Sequence, residues 1–311
     1  MPLRAKRAGG DALDYLAASP RVGTVAGRFR HGLILRLGED DDLRLLAVQG
    51  PAASLHPWAI ETASRPADVA RGTVVHTGDI AMEIGAVHVA FRGVLRCPLA
   101  VPTMTLESFA AARSRLTAWV ASPHGLAAHA ATGDLLERLL GLRERLASAS
   151  PRALLSLLGR GPGSTPLGDD LIVGALAGAS AMREITWPRT VHPQWLGKVL
   201  RSAPLYRKTT AASAQMIDAA LGGSFPEPLC ALLARLTERR SSTTEVNDAA
   251  CRLAELGGLS GIGFLHGIYA AVCRWGLRTR PDVKRIPART SPRAPARRSG
   301  ERRTTRRRRT S

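Results

Sequence analysis

The chain has 311 residues, 45% apolar but only 4% aromatic, so its core must be filled mainly by Leu, Ala and Val. Its net charge of +19 is unevenly spread: residues 281–311 hold 12 Lys and Arg against Asp282 and Glu301, which leaves +9 on the rest. No run approaches the roughly 18 uninterrupted apolar residues of a membrane span, and Arg4, Lys6 and Arg7 lead into no apolar segment, so neither an integral membrane protein nor a signal peptide is read. Four scattered cysteines form no CxxC pair, and eight histidines show no HExxH spacing. The expectation is a cytoplasmic protein with reduced thiols and no zinc or His-based metal centre.

Residues 1–20 are expected to be a flexible N-terminus with a short helix near Leu13 to Ala18. Strands follow. Val22 to Phe29 and Gly32 to Leu37 flank Arg30-His31, and Leu43 to Val48 comes after the acidic turn Glu39-Asp40-Asp41-Asp42. Thr73 to His76, Ile80 to Ile84 and Ala86 to Phe91 continue the pattern of short apolar runs between turn residues. Residues 21–100 therefore read as a β-rich domain, a meander closing into a sandwich or barrel. His76 and His88 fall on these strands as half-buried structural residues.

From Thr103 the hydrophobic period becomes helical. Thr105 caps a helix with Leu106, Phe109, Leu116 and Trp119 on its apolar face. Gly133 to Ala147 is a second, with Leu135, Leu139, Leu142 and Leu146 inward and Glu137, Arg138, Arg143, Glu144 and Arg145 outward as a solvated face. Ser150 and Pro151 start a short helix that stops at Gly159. Leu171 to Met182, Leu205 to Leu221, Glu227 to Arg239, Glu245 to Leu256 and Ser260 to Trp275 complete a helical domain over residues 103–278. The fold class is α+β: a β-rich N-terminal domain followed by an all-helical C-terminal domain, then a disordered basic tail over residues 281–311. The tail offers weak, salt-sensitive contact with nucleic acid and otherwise reads as a solvated extension.

One stretch carries chemistry: Gly161-Pro162-Gly163-Ser164-Thr165-Pro166-Leu167-Gly168-Asp169-Asp170. Gly161 and Gly163 permit positive φ, Thr165 is a good N-cap and Pro166 a good first helical residue. A helix N-terminus offers unpaired N–H donors to a phosphate or carboxylate. Asp169 and Asp170 sit in its first turn. That is ordinary helix-starting chemistry, but two acids would repel a bare phosphate. Either they hold Mg²⁺ that bridges to the ligand, or they accept hydrogen bonds from an amide or carbamoyl NH₂. The following helix has Gly174 and Gly178 among alanines, and the last has Gly263 and Gly267. Two such small-residue faces suit one close crossing, which would carry Ser260 and Gly261 toward the loop as further ligand groups, unless Ser260 is only an N-cap. Lys208 with Thr209, Thr210 and Ser213 at helical spacing forms a third candidate anion site, or a set of hydroxyls bonded to their own backbone.

These three segments together resemble the AllH-like family of bacterial proteins, whose motif reads Gly-Pro-Gly-Leu-Thr-Pro-Ser-Gly-Asp-Asp. Ser164 and Leu167 stand where the family has Leu and Ser, and Leu259 where it commonly has a polar residue. The resemblance spans about residues 20–278. It implies a subunit of a hetero-oligomeric carbamoyltransferase that interconverts oxalurate plus phosphate with oxamate plus carbamoyl phosphate, in the allantoin branch of purine catabolism. On that footing the partners are other carbamoyltransferase subunits and a small anionic substrate such as carbamoyl phosphate or oxamate. Asp169 and Asp170 would be catalytic or hold Mg²⁺. Gly161, Gly163, Thr165, Gly168, Lys208, Thr209, Thr210, Ser213, Ser260 and Gly261 would bind ligand. The alternatives are a non-catalytic subunit whose partners carry the chemistry, and a nucleic-acid-associated protein acting through its tail.

Overall fold

The computed structural model describes residues 3–122, 134–148, 150–185 and 193–275. The basic tail and the Trp187-Pro188 helix stop lie outside them. The fold is α+β: a barrel of strands followed by helices. The strands are β1 (Leu3–Gly9), β2 (Arg21–Phe29), β3 (Gly32–Leu37), β4 (Arg44–Gln49), β5 (Ala59–Thr62), β6 (Val74–Thr77), β7 (Ala81–Ile84), β8 (Val87–Ala90) and β9 (Leu95–Cys97). Their order is β5-β4-β3-β2-β6-β7-β8-β1, and an antiparallel β1–β5 pairing closes the ring. β9 runs beside β1 beyond the end of β8, so both lie parallel to it on the same edge.

The barrel is filled by alternate residues of these strands. Leu33, Leu35 and Leu37 of β3, Leu46 and Val48 of β4, Val75 of β6, and Met82 and Ile84 of β7 share one apolar cluster. Helix α1 (Gly10–Ala18) adds Ala12, Tyr15 and Leu16 to it. Three expectations need correcting here. Residues 3–18 are not a flexible leader: β1 closes the barrel and α1 packs on its core. The meander is interrupted, because β2 pairs with β6 and β4 runs parallel to β5. His76 and His88 are exposed, on outward positions of β6 and β8.

The helices are α2 (Leu106–Ala121), α3 (Asp134–Ala147), α4 (Pro151–Leu155), α5 (Leu167–Ala181), α6 (Pro193–Arg201), α7 (Leu205–Lys208), α8 (Ala211–Gly222), α9 (Glu227–Thr237), α10 (Thr243–Ala254) and α11 (Ser260–Tyr269), which runs into a π-helical segment, Ala270–Trp275. No described helix is long and apolar enough to cross a membrane. Local start signals work where the sequence places them. Thr105 accepts from Ser108 N in a capping box, and Ser150 accepts from Ala153 N with Pro151 at the first helical position. α6 has no counterpart in the sequence reading.

At the centre lies α5, buried along nearly its whole length, with α11 across it. A Cβ on Gly174 would fall on the Phe264 backbone, one on Gly267 on the Leu171 carbonyl, and one on Gly178 would stand 2.9 Å from Ala271 Cβ. The two small-residue faces therefore meet each other, with backbone against backbone. The barrel is fastened to the helices by polar contacts. The buried Gln215 of α8 accepts from Leu45 N and donates to Leu45 O, both at 2.8 Å, as a neighbouring strand would. Arg7 bridges Glu61 of β5 (2.6 Å) and Glu227 of α9 (2.7 Å), and Phe225 N donates to Leu99 O.

Candidate functional site

The motif forms a tight turn ahead of α5. Gly161 and Gly163 have φ of +102° and +107°, values open to glycine and strained for other residues. Residues 161–164 are exposed, whereas 166–179 are buried without a break. The turn thus leads directly from solvent to the central helix.

The helix start is built differently from its expected form. Pro166, not Thr165, stands at the N-cap, and no side chain caps it. The donors are used internally instead: Gly168 N bonds to Arg160 O at 2.7 Å, and Asp169 N and Asp170 N to Pro166 O at 2.9 and 3.3 Å. The turn folds its own carbonyls back over the helix end, so Gly168 offers no N–H to an anion. Its role is steric, since a Cβ there would strike the Leu157 carbonyl. Leu167 is 1% exposed and belongs to the helical core.

Asp169 and Asp170 are 1% and 3% exposed. Asp169 is a clamp. Its Oδ1 accepts from Gly159 N at 2.9 Å and its Oδ2 from the Thr209 hydroxyl. Burial raises its pKa, and Thr209, Gly159 and the nearby Ser213 hydroxyl oppose the rise. Thr209 can reach because the helix expected over Leu205 to Leu221 breaks there. Thr209 is extended (φ −144°, ψ −176°), and Thr210 restarts the chain as the N-cap of α8, accepting from Ser213 N. Thr209, Thr210 and Ser213 are therefore not one helical face. The Thr210 hydroxyl donates to Ser164 O at 2.9 Å, tying α8 to the turn, while the buried Ser213 Oγ has no hydrogen-bond partner. Lys208 is exposed, and its carbonyl packs on Gly159.

Asp170 is the less constrained acid. Its Oδ2 is buried and has no hydrogen-bond partner. Burial pushes its carboxyl up to about 8; the Ser260 hydroxyl opposes this, repulsion from Asp169 adds to it, and the Thr165 hydroxyl opposes it. Those two hydroxyls are 2.7 Å apart and bonded to each other. Ser260 is not the N-cap of α11, a position held by Leu259. Gly261 is no ligand donor either: its N–H bonds to Leu256 O, and a Cβ there would strike Leu253 O. Gly263 makes room for the acid, since a Cβ on it would lie 2.6 Å from Asp170 Cβ.

This donor set fits Mg²⁺ poorly. Both oxygens of Asp169 already accept hydrogen bonds, which leaves Asp170 as the one carboxylate of the pair with an oxygen to spare. It suits a ligand that exchanges hydrogen bonds with a neutral carboxylic acid.

Two further features escaped the sequence reading. Arg138 and Arg145, taken as solvated, line a depression with Arg160 and Gly161 beside the turn. The spacing of 138, 142 and 145 along one helix face was the available signal. Arg143 is not simply solvated: its side chain is 16% exposed, it lies 5.1 Å over the Tyr269 ring, and it comes within 3.4 Å of His266 Nδ1. A larger cleft, about 860 Å³, separates barrel from helices, with Gln49, His56, Glu227, Arg252 and Gly257 among its lining.

The fold and this corner define an α+β protein whose central helix begins at a walled-in pair of acids. Residues 157–272 match the family model of the oxamate carbamoyltransferase subunit AllH, and that segment is similar to this family. No curated protein and no solved structure matches it.

Proposed function

We propose that the chain is a subunit of a carbamoyltransferase-type complex that passes a carbamoyl group between phosphate and a small carboxylic acid amide such as oxamate. One observation carries the reading. The segment that matches the oxamate carbamoyltransferase subunit model, residues 157–272, supplies both buried acids, Asp169 and Asp170, and the residues around them: Gly159, Thr165, Thr209 and Ser260.

In the forward direction the amide nitrogen attacks the carbamoyl carbon, the carbon–oxygen bond to phosphate breaks, and the proton from nitrogen ends on the departing phosphate. Asp170 is suited to meet the carbamoyl group. As a neutral acid it donates a hydrogen bond to a carbonyl oxygen, and its unpartnered Oδ2 accepts one from an NH₂. Asp169 acts as a positioning residue that fixes Gly159 and Thr209. Thr165 and Ser260 set the polarity around Asp170. Companion subunits complete the site.

The test reconstitutes the chain with its companion subunits and follows phosphate release from carbamoyl phosphate and oxamate. Asp170→Leu keeps the volume but removes both the hydrogen-bond donor and the acceptor. It should lower the rate by about 100-fold or more with little change in melting temperature. A variant with full activity would overturn the role of Asp170, and an inactive parental complex would overturn the reading itself.

A second reading rests on the closure of the helix start. With Gly168, Asp169 and Asp170 all donating to the chain's own carbonyls, the corner serves as a packing joint and the partners perform the reaction. Under it Asp170→Leu leaves transfer intact.

A further inference from the structure

The closed helix start raises the question of where this chain meets negative charge. One answer lies beside the turn. Among the described residues, a depression of about 440 Å³ is lined by Arg138, Gly141, Leu142 and Arg145 of α3 and by Arg160 and Gly161 of the turn. Positions 138, 141, 142 and 145 fall on one face of α3, so both arginines rise from that face toward the turn. Gly141 between them has open space where a side chain would be, which leaves the floor clear. Arg160 is anchored at the rim: its carbonyl accepts from Gly168 N, the bond that also closes the helix start.

Among the described residues none of these three guanidiniums makes an ion pair or hydrogen bond, whereas Arg7, Arg21, Arg96, Arg143, Arg235 and Arg274 all pair with acids. The acid nearest in sequence to Arg145, Glu144, is turned to Arg274 at 3.0 Å and Arg143 at 3.7 Å. Three uncompensated cations around one hollow repel each other until an anion enters. Guanidiniums bind a tetrahedral oxyanion through paired, charge-assisted hydrogen bonds. A phosphoryl group, with a charge near −2 at neutral pH, matches that demand better than a carboxylate. The volume suits a small molecule.

We propose that Arg138, Arg145 and Arg160 form, beside Gly161, a subsite for a phosphoryl group, borne by inorganic phosphate or by a small acyl phosphate. The subsite rests on the transferase reading, in which a phosphate is carried in or released, and names where beside the turn that group would be held. It is tested apart from that reading, because binding needs neither companion subunits nor turnover.

The experiment is isothermal calorimetry on the full chain at low ionic strength, titrated with inorganic phosphate and, in a second arm, acetyl phosphate. Arg138→Gln, Arg145→Gln and Arg160→Gln are compared with the parent and with a variant carrying Arg306→Gln, Arg307→Gln and Arg308→Gln in the tail. Each pocket variant should weaken binding by about tenfold, and the tail variant should bind as the parent does. Tighter binding of acetyl phosphate supports an acyl phosphate as the source, and tighter binding of inorganic phosphate supports the free ion. Pocket variants that bind like the parent, loss of binding in the tail variant, or no heat from the parent at about 10 mM ligand would each overturn the subsite.

Discussion

The barrel and the α5–α11 pair hold together by opposite means. Inside the barrel, branched and long side chains such as Leu35, Met82 and Ile84 fill a ring of strands, and their volume does the work. Between α5 and α11 the contact depends on missing side chains: Gly174, Gly178, Gly263 and Gly267 let backbones touch. Side-chain packing of the first kind adjusts to a change of shape at constant volume. Backbone contact cannot adjust, because the whole helix must move. The acid corner sits on the second kind of joint, with Gly263 against Asp170, so the spacing of two helices sets the surroundings of one carboxyl.

The largest expected effect follows directly. Gly267→Leu drives a side chain into the Leu171 carbonyl and should cost more than about 4 kcal/mol, enough to leave little folded protein; Leu35→Met in the barrel should cost under about 1.5 kcal/mol. Urea titration of both measures the contrast, and equal costs would erase it. Next comes the clamp. Asp169→Ala leaves Gly159 N–H and the Thr209 hydroxyl without their acceptor and should cost about 2–3 kcal/mol in the same assay. The third effect is a slope over pH rather than a single cost. The Asp170 carboxyl titrates near 3.8 when unfolded and about 8 when folded, so the folded state holds the extra proton. Its contribution to stability is full below pH 4 and drains away as the pH rises toward 8. Asp170→Asn should remove that decline, gaining on the parent in melting temperature as the pH climbs from 5 to 8. Parallel curves for the two proteins would show that the acid is not neutral in the fold.

What the sequence made legible was whatever depends on neighbours in the chain. Thr105 and Ser150 cap the helices they precede, because a cap acts across three residues. The runs from Val22 to Leu37 form strands because alternation and turn residues are local. The pairing of two small-residue helix faces was also readable, since such faces fit little else. What failed depended on distant partners. β1, with Lys6 and Arg7 between its inward Ala5 and Ala8, becomes a strand only when β5, β8 and β9 supply hydrogen bonds. The break at Thr209 was hidden because propensity favours helix onward from Leu205, and a hydrogen bond to Asp169, 40 residues away, wins. The helix start looked open in sequence and is shut by Arg160 and Pro166 carbonyls, a backbone feature that no residue type announces.

The closure of the barrel bears on how the protein reaches its fold. β1 comes before every strand it pairs with: Ala8 lies against Ile60, and Arg7 against Leu95. The hairpin β2–β3 and its neighbour β4 can form early from short-range contacts, but the ring stays open until Val89 and Ala90 of β8 pair with β1. Loop closure over that distance is entropically costly and slow. Until it happens, the edges of β5 and β8 are exposed for pairing with another chain. Refolding should therefore show a late phase in which barrel closure, rather than helix packing, sets the rate and the concentration above which the protein aggregates.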